Sequence, residues 1–303
     1  MKILFLGSSH FSVVVLKRLL EEKVEVDYVI TSLDKPSGRG HKLVPNEVKV
    51  FAQQNGIEVF SFDRVRKHME EIKLIDYDLA IVASFGQILP NEFLEHRLTI
   101  NVHPSLLPKY RGASPIQSAI LNGDKKTGVT IMKLAEEVDS GDIISQKEID
   151  LDGEYYLELE EKLGNLGGQM LKEVISQIEN NSVKFTPQNH KNATFVQKFD
   201  KNDGILDLND SAENFVNKIR ALAQTLGCTL KIGEQELKIG KAKNVSNEFE
   251  VEKGYVSTNK KRFVVGANDG AVEILFCQAP SGKMIAGRDY LNGHNDILGK
   301  RIL

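Results

Sequence analysis

Asn101 and His103 stand two residues apart at the end of an apolar run, Thr99 to Val102, that reads as a strand. Strand side chains at that spacing point to one face, so both groups can reach a single ligand atom. Asn101 can donate a hydrogen bond through its amide, and His103 can donate one while also serving as an acid. In an open parallel sheet, ligands bind beyond the carboxyl ends of the strands, where this pair falls. Taken alone, an Asn-x-His pair also fits an ordinary loop capped by side-chain hydrogen bonds. Downstream, the segment after a strand at Val129 to Leu134 carries two aspartates, Asp139 and Asp142.

The elements that must position these groups follow from periodicity. Lys2 to Leu6 reads as a strand, Gly7-Ser8-Ser9 as a turn, and Phe11 to Glu22 as a helix with Phe11, Val14, Val15 and Leu19 at helical spacing. Further strands are expected at Val26 to Thr31 and Leu79 to Ala83. Strands alternating with helices imply an α/β fold with a doubly wound, mostly parallel sheet. The stretch between Thr31 and Val48, rich in Gly, Pro and basic residues, reads as a long exposed loop. Ser114 followed by Pro115 is a helix start, because Ser caps free amides and Pro fits the first helical position, so Pro115 to Leu121 is expected to be helical. Tyr155 to Glu179 reads as a long amphipathic helix covering the sheet. Thr186 to Asp210 is polar and irregular. A helix near Ala212 to Leu222 then precedes short strands separated by glycines, which suggests a second, smaller β-barrel-like module.

Size and composition agree with a two-domain globular protein. The chain has 303 residues, 41% hydrophobic and 27% charged, more than the usual single domain of roughly 100 to 200 residues. No apolar run is long enough for a membrane span, and the N-terminus lacks the features of a signal peptide, so a cytoplasmic protein is expected. The net charge of −3 argues against coating nucleic acid by bulk electrostatics, so any RNA contact must be local. Cys228 and Cys277 are far apart and without metal-ligand neighbours, so neither a disulfide framework nor a metal site is expected. Gly7-Ser8-Ser9 lacks the G-x-G-x-x-G pattern, since the next glycine is Gly38, which argues against a nicotinamide or flavin enzyme.

Asn101 to Gln117 reads NVHPSLLPKYRGASPIQ, and its segment N-V-H-x-S-L-L-P-x-Y-R-G resembles the signature of folate-dependent formyltransferases. Gly128 to Asp142, GVTIMKLAEEVDSGD, resembles that family's second motif, whose essential aspartate precedes a small residue and a glycine, as Asp139 does and Asp142 does not. The resemblance implies that an amine attacks the formyl carbonyl of 10-formyltetrahydrofolate, giving an intermediate whose oxygen carries negative charge. Asn101 and His103 would donate to that oxygen, each donor of this kind being worth about 10² to 10³ in rate. Asp139 would accept the amine's proton or stabilise the imidazolium. The resemblance further implies folate contacts from Phe85, Gly86, Gln87, Ile88 and Leu89 in the loop Val82 to Pro90, and from Ser105, Leu106, Leu107 and Pro108. Gly86 would let the backbone approach the pterin.

Asp34 to Leu43 reads DKPSGRGHKL and resembles the D-x-P-x-G-R-G-x-K-L insertion of methionyl-tRNA formyltransferases, which sugar and purine enzymes lack. Gly38, Arg39, Gly40 and Lys42 are therefore expected to contact the acceptor end of initiator tRNA, with Arg39 and Lys42 reaching phosphates and base edges. Ala193-Thr194-Phe195, Asn202 to Ile205, Lys218 to Ala221, Gly282 to Met284 and Tyr290 to Gly293 resemble that family's second domain. Departures fall in the same half: Leu208 stands where a tryptophan is common, and Gln224 to Gly227 replaces a Trp-Pro-Gly segment. The implied architecture is a Rossmann-like catalytic domain over 1–188, a linker over 189–205 and an OB-like, tRNA-binding domain over 206–303. Formyl transfer to an amino sugar or other small amine is the alternative activity, and a monomer is expected.

Overall fold

In the computed structural model, which describes residues 1–37 and 42–302, the first half alternates strand and helix. The elements in order are β1 (Ile3–Gly7), α1 (His10–Glu21), β2 (Tyr28–Ser32), β3 (Lys35–Ser37), β4 (Lys42–Val44), α2 (Glu47–Gln54), β5 (Glu58–Phe62), α3 (Met69–Ile72), β6 (Leu79–Ala83), α4 (Asn91–His96), β7 (Leu98–His103), β8 (Arg111–Gly112), α5 (Pro115–Leu121), β9 (Lys126–Lys133), β10 (Ile143–Asp150) and α6 (Tyr156–Glu179). The second half adds β11 (Phe195–Val196), α7 (Ala212–Leu222), β12 (Cys228–Ile232), β13 (Gln235–Asn244), β14 (Val264–Gly266), β15 (Ala271–Gln278), β16 (Ile285–Ala286) and α8 (Gly287–Gly293). The chain divides into two compact units, residues 1–115, 126–150 and 159–196 in the first, and 116–125, 151–158 and 197–303 in the second.

In the first unit seven strands form one sheet in the order β10-β9-β7-β6-β1-β2-β5. The five from β7 to β5 are parallel, and β9 and β10 join antiparallel at the β7 side. β1 and β6 are buried along their whole length, as expected of central strands covered on both faces. Ser9 caps α1 in a reciprocal box with Ser12, which satisfies amides at the helix start. One face of the sheet carries a core of Leu4, Leu6, Ile30, Phe62, Val65, Ile72, Tyr77, Val82, Phe85 and Phe93. On α6, Gly164 and Gly168 lie against α1, where an added Cβ would stand 2.7 Å from Val14 and 2.6 Å from Arg18. At Gly167 it would stand 2.6 Å from Val102. The three glycines allow α6 to approach α1 and the sheet closely.

The second unit contains an antiparallel sheet in the order β12-β13-β15-β14, with β16 against β15. Register shifts at Lys241 bend the long β13–β15 ladder. Among the described residues β12 and β14 end the path without pairing to each other, so the sheet is open. Leu208, at the position where the resemblance expects a tryptophan, is fully buried.

One expectation is corrected. The stretch from Thr31 to Val48 is not a structureless loop throughout: β3 and β4 pair antiparallel, Lys35 with Val44 and Pro36 with Leu43, and α2 begins at Glu47. Strands of three residues bury too little to impose an apolar alternation, and Leu43 is 68% exposed.

Candidate active site

β7 carries Asn101 and His103 to the carboxyl end of the parallel strands. Asn101 is level with Val82, and Val82 with Leu6, so the three share one face of the sheet. Where the apolar face of the core ends, β7 places two polar groups that are 8% and 4% exposed. The Asn101 carboxamide makes no hydrogen bond to any described residue, so its donor and acceptor are free for a ligand. The His103 ring is fixed, because Nε2 donates to the Tyr110 carbonyl at 2.9 Å. That bond leaves Nδ1 as the nitrogen that can exchange a proton.

The turn after β7 is held from β9 and β10. Thr130, opposite His103 in the ladder, donates to the Ser105 carbonyl at 2.7 Å and accepts from the Leu107 amide at 3.1 Å. Gln146 donates to the Leu107 carbonyl at 2.9 Å and to Thr130 Oγ1 at 2.8 Å. Ser105 Oγ donates to the Lys109 carbonyl at 2.6 Å. Leu107-Pro108 is cis, and Tyr110 takes a left-handed conformation with φ of 60°. The chain then runs into β8, which pairs with β11.

Asp139 lies in the loop between β9 and β10, also left-handed with φ of 48°. A non-glycine residue in that region costs of order 1–3 kcal/mol and persists only where its surroundings hold it. Here they do. The Gly112 amide donates to Asp139 Oδ2 at 2.8 Å, and the same oxygen stands 3.6 Å from His103 Nδ1. Gly141 lets the loop close, since a Cβ there would stand 1.8 Å from the Lys133 carbonyl. Asp142 enters the geometry through its backbone carbonyl, which accepts from the Lys133 amide at 2.9 Å. The structure thus brings Asn101, His103 and Asp139 to one place.

The segments expected to hold folate divide. Ser84 is left-handed at φ of 48° and Gly86 at 75°, with open space where a Cβ of Gly86 would be. Ile88 is 93% exposed, whereas Leu106 and Pro108 are half-buried, with Leu106 Cδ2 lying against Gly128 of β9. Phe85 and Leu107 are buried and Leu89 packs against the core. Ser105 is fully buried. Gln87 is occupied: its carbonyl accepts from the Val65 amide at 2.9 Å and its amide donates to the Phe62 carbonyl at 3.0 Å, which ties this loop to the end of β5. Gly38, Arg39 and Gly40 lie outside the described residues, and Lys42 opens β4.

Motif reading left out the residues that support the site, namely Arg111, Thr130, Gln146 and Gln188. Arg111 lies inside the Y-R-G segment, so the motif could have flagged it. Gln188 lies in a polar stretch with no periodicity and gave no signal. No group of three or more His, Cys, Asp or Glu among the described residues is placed to hold a metal ion.

Comparison with known proteins follows the same residues. A family model described as Formyl transferase matches residues 1–175, and one described as Formyl transferase, C-terminal domain, matches 198–295. A methionyl-tRNA formyltransferase of Sulfurihydrogenibium sp. is 37% identical, with 99% of each chain covered. One of Kosmotoga olearia is 40% identical over 94% of each. Among solved structures, HypX from Aquifex aeolicus in complex with tetrahydrofolic acid superposes with a TM-score of 0.68 at 19% identity, covering 99% of this chain and 48% of HypX. WlaRD, a sugar 3N-formyl transferase, gives 0.68 at 23% identity, with 92% and 97% covered. At such identities these two structures speak for the fold alone. The sequence relatives, matched from end to end at well above 30% identity, carry the assignment: this chain belongs to the methionyl-tRNA formyltransferase family.

Proposed function

We propose that the chain transfers the formyl group of 10-formyltetrahydrofolate to the amino group of methionyl-initiator tRNA, using Asn101, His103 and Asp139. The observation that carries this reading is the 3.6 Å approach of His103 Nδ1 to Asp139 Oδ2 beside the unpartnered Asn101 carboxamide. The folate fits as co-substrate because Asn101 offers a free buried donor while Gly86, Ile88, Leu106 and Pro108 present open backbone and apolar surface. When bound, it supplies the electrophilic formyl carbon. Asn101 donates to the carbonyl oxygen as that oxygen gathers charge. His103, held at Nε2 by the Tyr110 carbonyl, presents Nδ1 as a second donor and as the acid for the leaving nitrogen. Asp139 takes the proton that the attacking amine must lose, or holds the imidazolium through Oδ2. Phe85, Gln87, Leu89, Ser105 and Leu107 act by fixing the shape of the folate cleft.

The same reading assigns Gly38, Arg39, Gly40 and Lys42 to the tRNA acceptor end. It assigns residues 206–303 to an OB-like module following the acceptor arm, an assignment supported by the bulged antiparallel sheet of β12 to β16. Residues 189–205 join this module to the catalytic domain of 1–188. Family membership supports a monomer working in the cytoplasm, where charged tRNA is found. Replacing Asn101 or His103 with Ala, or Asp139 with Asn, is expected to lower kcat by about 10² to 10³ while folate affinity changes little. Parallel losses of turnover and folate affinity would contradict a role confined to the transition state.

A further inference from the structure

We infer that Gln188 is a positioning residue for the Asp139 carboxylate, acting as a relay between the buried Arg111 guanidinium and the loop that carries Asp139. The inference rests on the reading of Asp139 given above. Gln188 is 5% exposed and every polar atom of its side chain is used. Its Oε1 accepts from Arg111 Nε at 3.2 Å and Nη2 at 2.7 Å. Its Nε2 donates to the Asp139 carbonyl at 2.9 Å and the Gly141 carbonyl at 2.7 Å. Only one orientation of the carboxamide satisfies this set, because a guanidinium has no acceptor and a carbonyl has no donor.

Arg111 is itself immobilised. It is 3% exposed, Nη2 also meets His190 Nδ1 at 3.1 Å, and the ring of Phe195 lies 5.9 Å from the guanidinium. Its backbone amide donates to the Thr194 carbonyl at 2.8 Å. A hydrogen bond from a charged donor polarises the amide that accepts it and strengthens that amide's own N–H bonds. Gln188 therefore grips the two carbonyls flanking Ser140 with more than neutral strength.

The grip falls where the backbone needs it. Asp139 is left-handed, and this conformation is one that a neighbouring peptide flip would relieve. Both carbonyls held by Gln188 belong to the tight turn 139–141, so releasing them frees the turn. Asp139 Oδ2 would then leave the Gly112 amide and His103 Nδ1. A displacement of about 1 Å at a reacting group is enough to cost about 10² in rate. All the side-chain hydrogen bonds of Gln188 go to Arg111 and the 139–141 turn or to Met132, so its effect passes through Asp139.

The test is a double-mutant cycle between Gln188→Glu and Asp139→Asn. Glu at 188 keeps the bond to Arg111 and loses both donations, placing an acceptor against the two carbonyls. kcat is counted per binding-competent site, taken from a folate titration, so a fraction of unfolded protein does not enter the rate. Gln188→Leu, which removes both sets of bonds at similar volume, is carried through the same cycle. Both 188 variants are expected to lower kcat by about tenfold to 10², with KM for folate and tRNA within about twofold. In the Asp139→Asn background neither is expected to lower kcat further, since there is no carboxylate left to misplace. Losses that multiply across the two sites, or a Gln188→Glu protein with parental kcat, would overturn the inference. If Asp139→Asn itself kept full turnover, the assignment of Asp139 would be the part that fails.

Discussion

At the scale of single residues, the buried polar groups separate by whether they are satisfied. The Asn101 carboxamide has no hydrogen-bond partner among the described residues, and in the function proposed here the formyl oxygen completes it. Tyr77 is different: its hydroxyl is buried in the core beside Phe93, has no hydrogen-bond partner among the described residues, and burial pushes it up to about 12. An unsatisfied buried hydroxyl opposes folding, so Tyr77→Phe is expected to raise stability by about 1 kcal/mol. Urea denaturation measures this, and a loss of similar size would mean that the hydroxyl is bonded in solution. Asn101 and His103 were legible because a strand's period of two puts them on one face at the end of an apolar run. Asp139 was legible only through its motif, since nothing in the spacing separates it from Asp142. Gln188 was not legible at all, because its partners are two backbone carbonyls and a guanidinium 77 residues away.

At the scale of elements, propensity and packing pull apart in α6. Alanine favours a helix interior over glycine by about 1 kcal/mol, so propensity alone predicts that Gly168→Ala stabilises. A Cβ at that position would meet Arg18 Cβ at 2.6 Å and the Val15 carbonyl at 2.9 Å. The backbone of α1 cannot yield as a side chain end can, so the substitution is expected to destabilise by about 1–3 kcal/mol. A thermal or urea midpoint that rises would contradict the close packing of α6 on α1.

The segment after β5 adds a pH dependence. His68 places Nδ1 2.8 Å from Glu71 and Nε2 3.1 Å from Asp63, and stacks on Phe62. Glu71 first, and Asp63 second, hold its value above the ordinary 6.5. The folded protein thus binds this proton more tightly than the unfolded chain. The contribution is fully present below 6.5 and is lost as pH rises through the raised value. Asp63 is held down to about 2 by Lys67 and His68, so its own contribution, present above the ordinary carboxylate value, is lost only as pH falls through about 2. NMR titration of the His68 ring is expected to give a midpoint above 6.5. A midpoint at or below it would show that the two carboxylates do not engage the ring.

At the scale of the whole molecule, what the sequence made legible followed burial. The central strands β1, β6 and β7 and the helices α1, α6 and α7 bury continuous or periodic apolar residues, and their expected spans differ from the observed ones by at most one residue at either end. The edge strands β5 and β10 were not foreseen. β10 reads IISQKEID and is mostly exposed or half-exposed, so its place in the sheet rests on backbone pairing that leaves no apolar pattern. The hairpin of β3 and β4 was hidden for the same reason. In the second unit Leu208, where the resemblance implies a tryptophan, is fully buried and so fills an apolar core position. The measurement that tests the account most directly is a formylation assay of the purified protein with 10-formyltetrahydrofolate and either methionine-charged initiator tRNA or free amino sugars. The account predicts formyl-methionyl-tRNA, with the product lost in the His103→Ala protein. Formylated sugar or free formate in place of the tRNA product would contradict the acceptor assigned here, and undiminished tRNA product from His103→Ala would contradict the site.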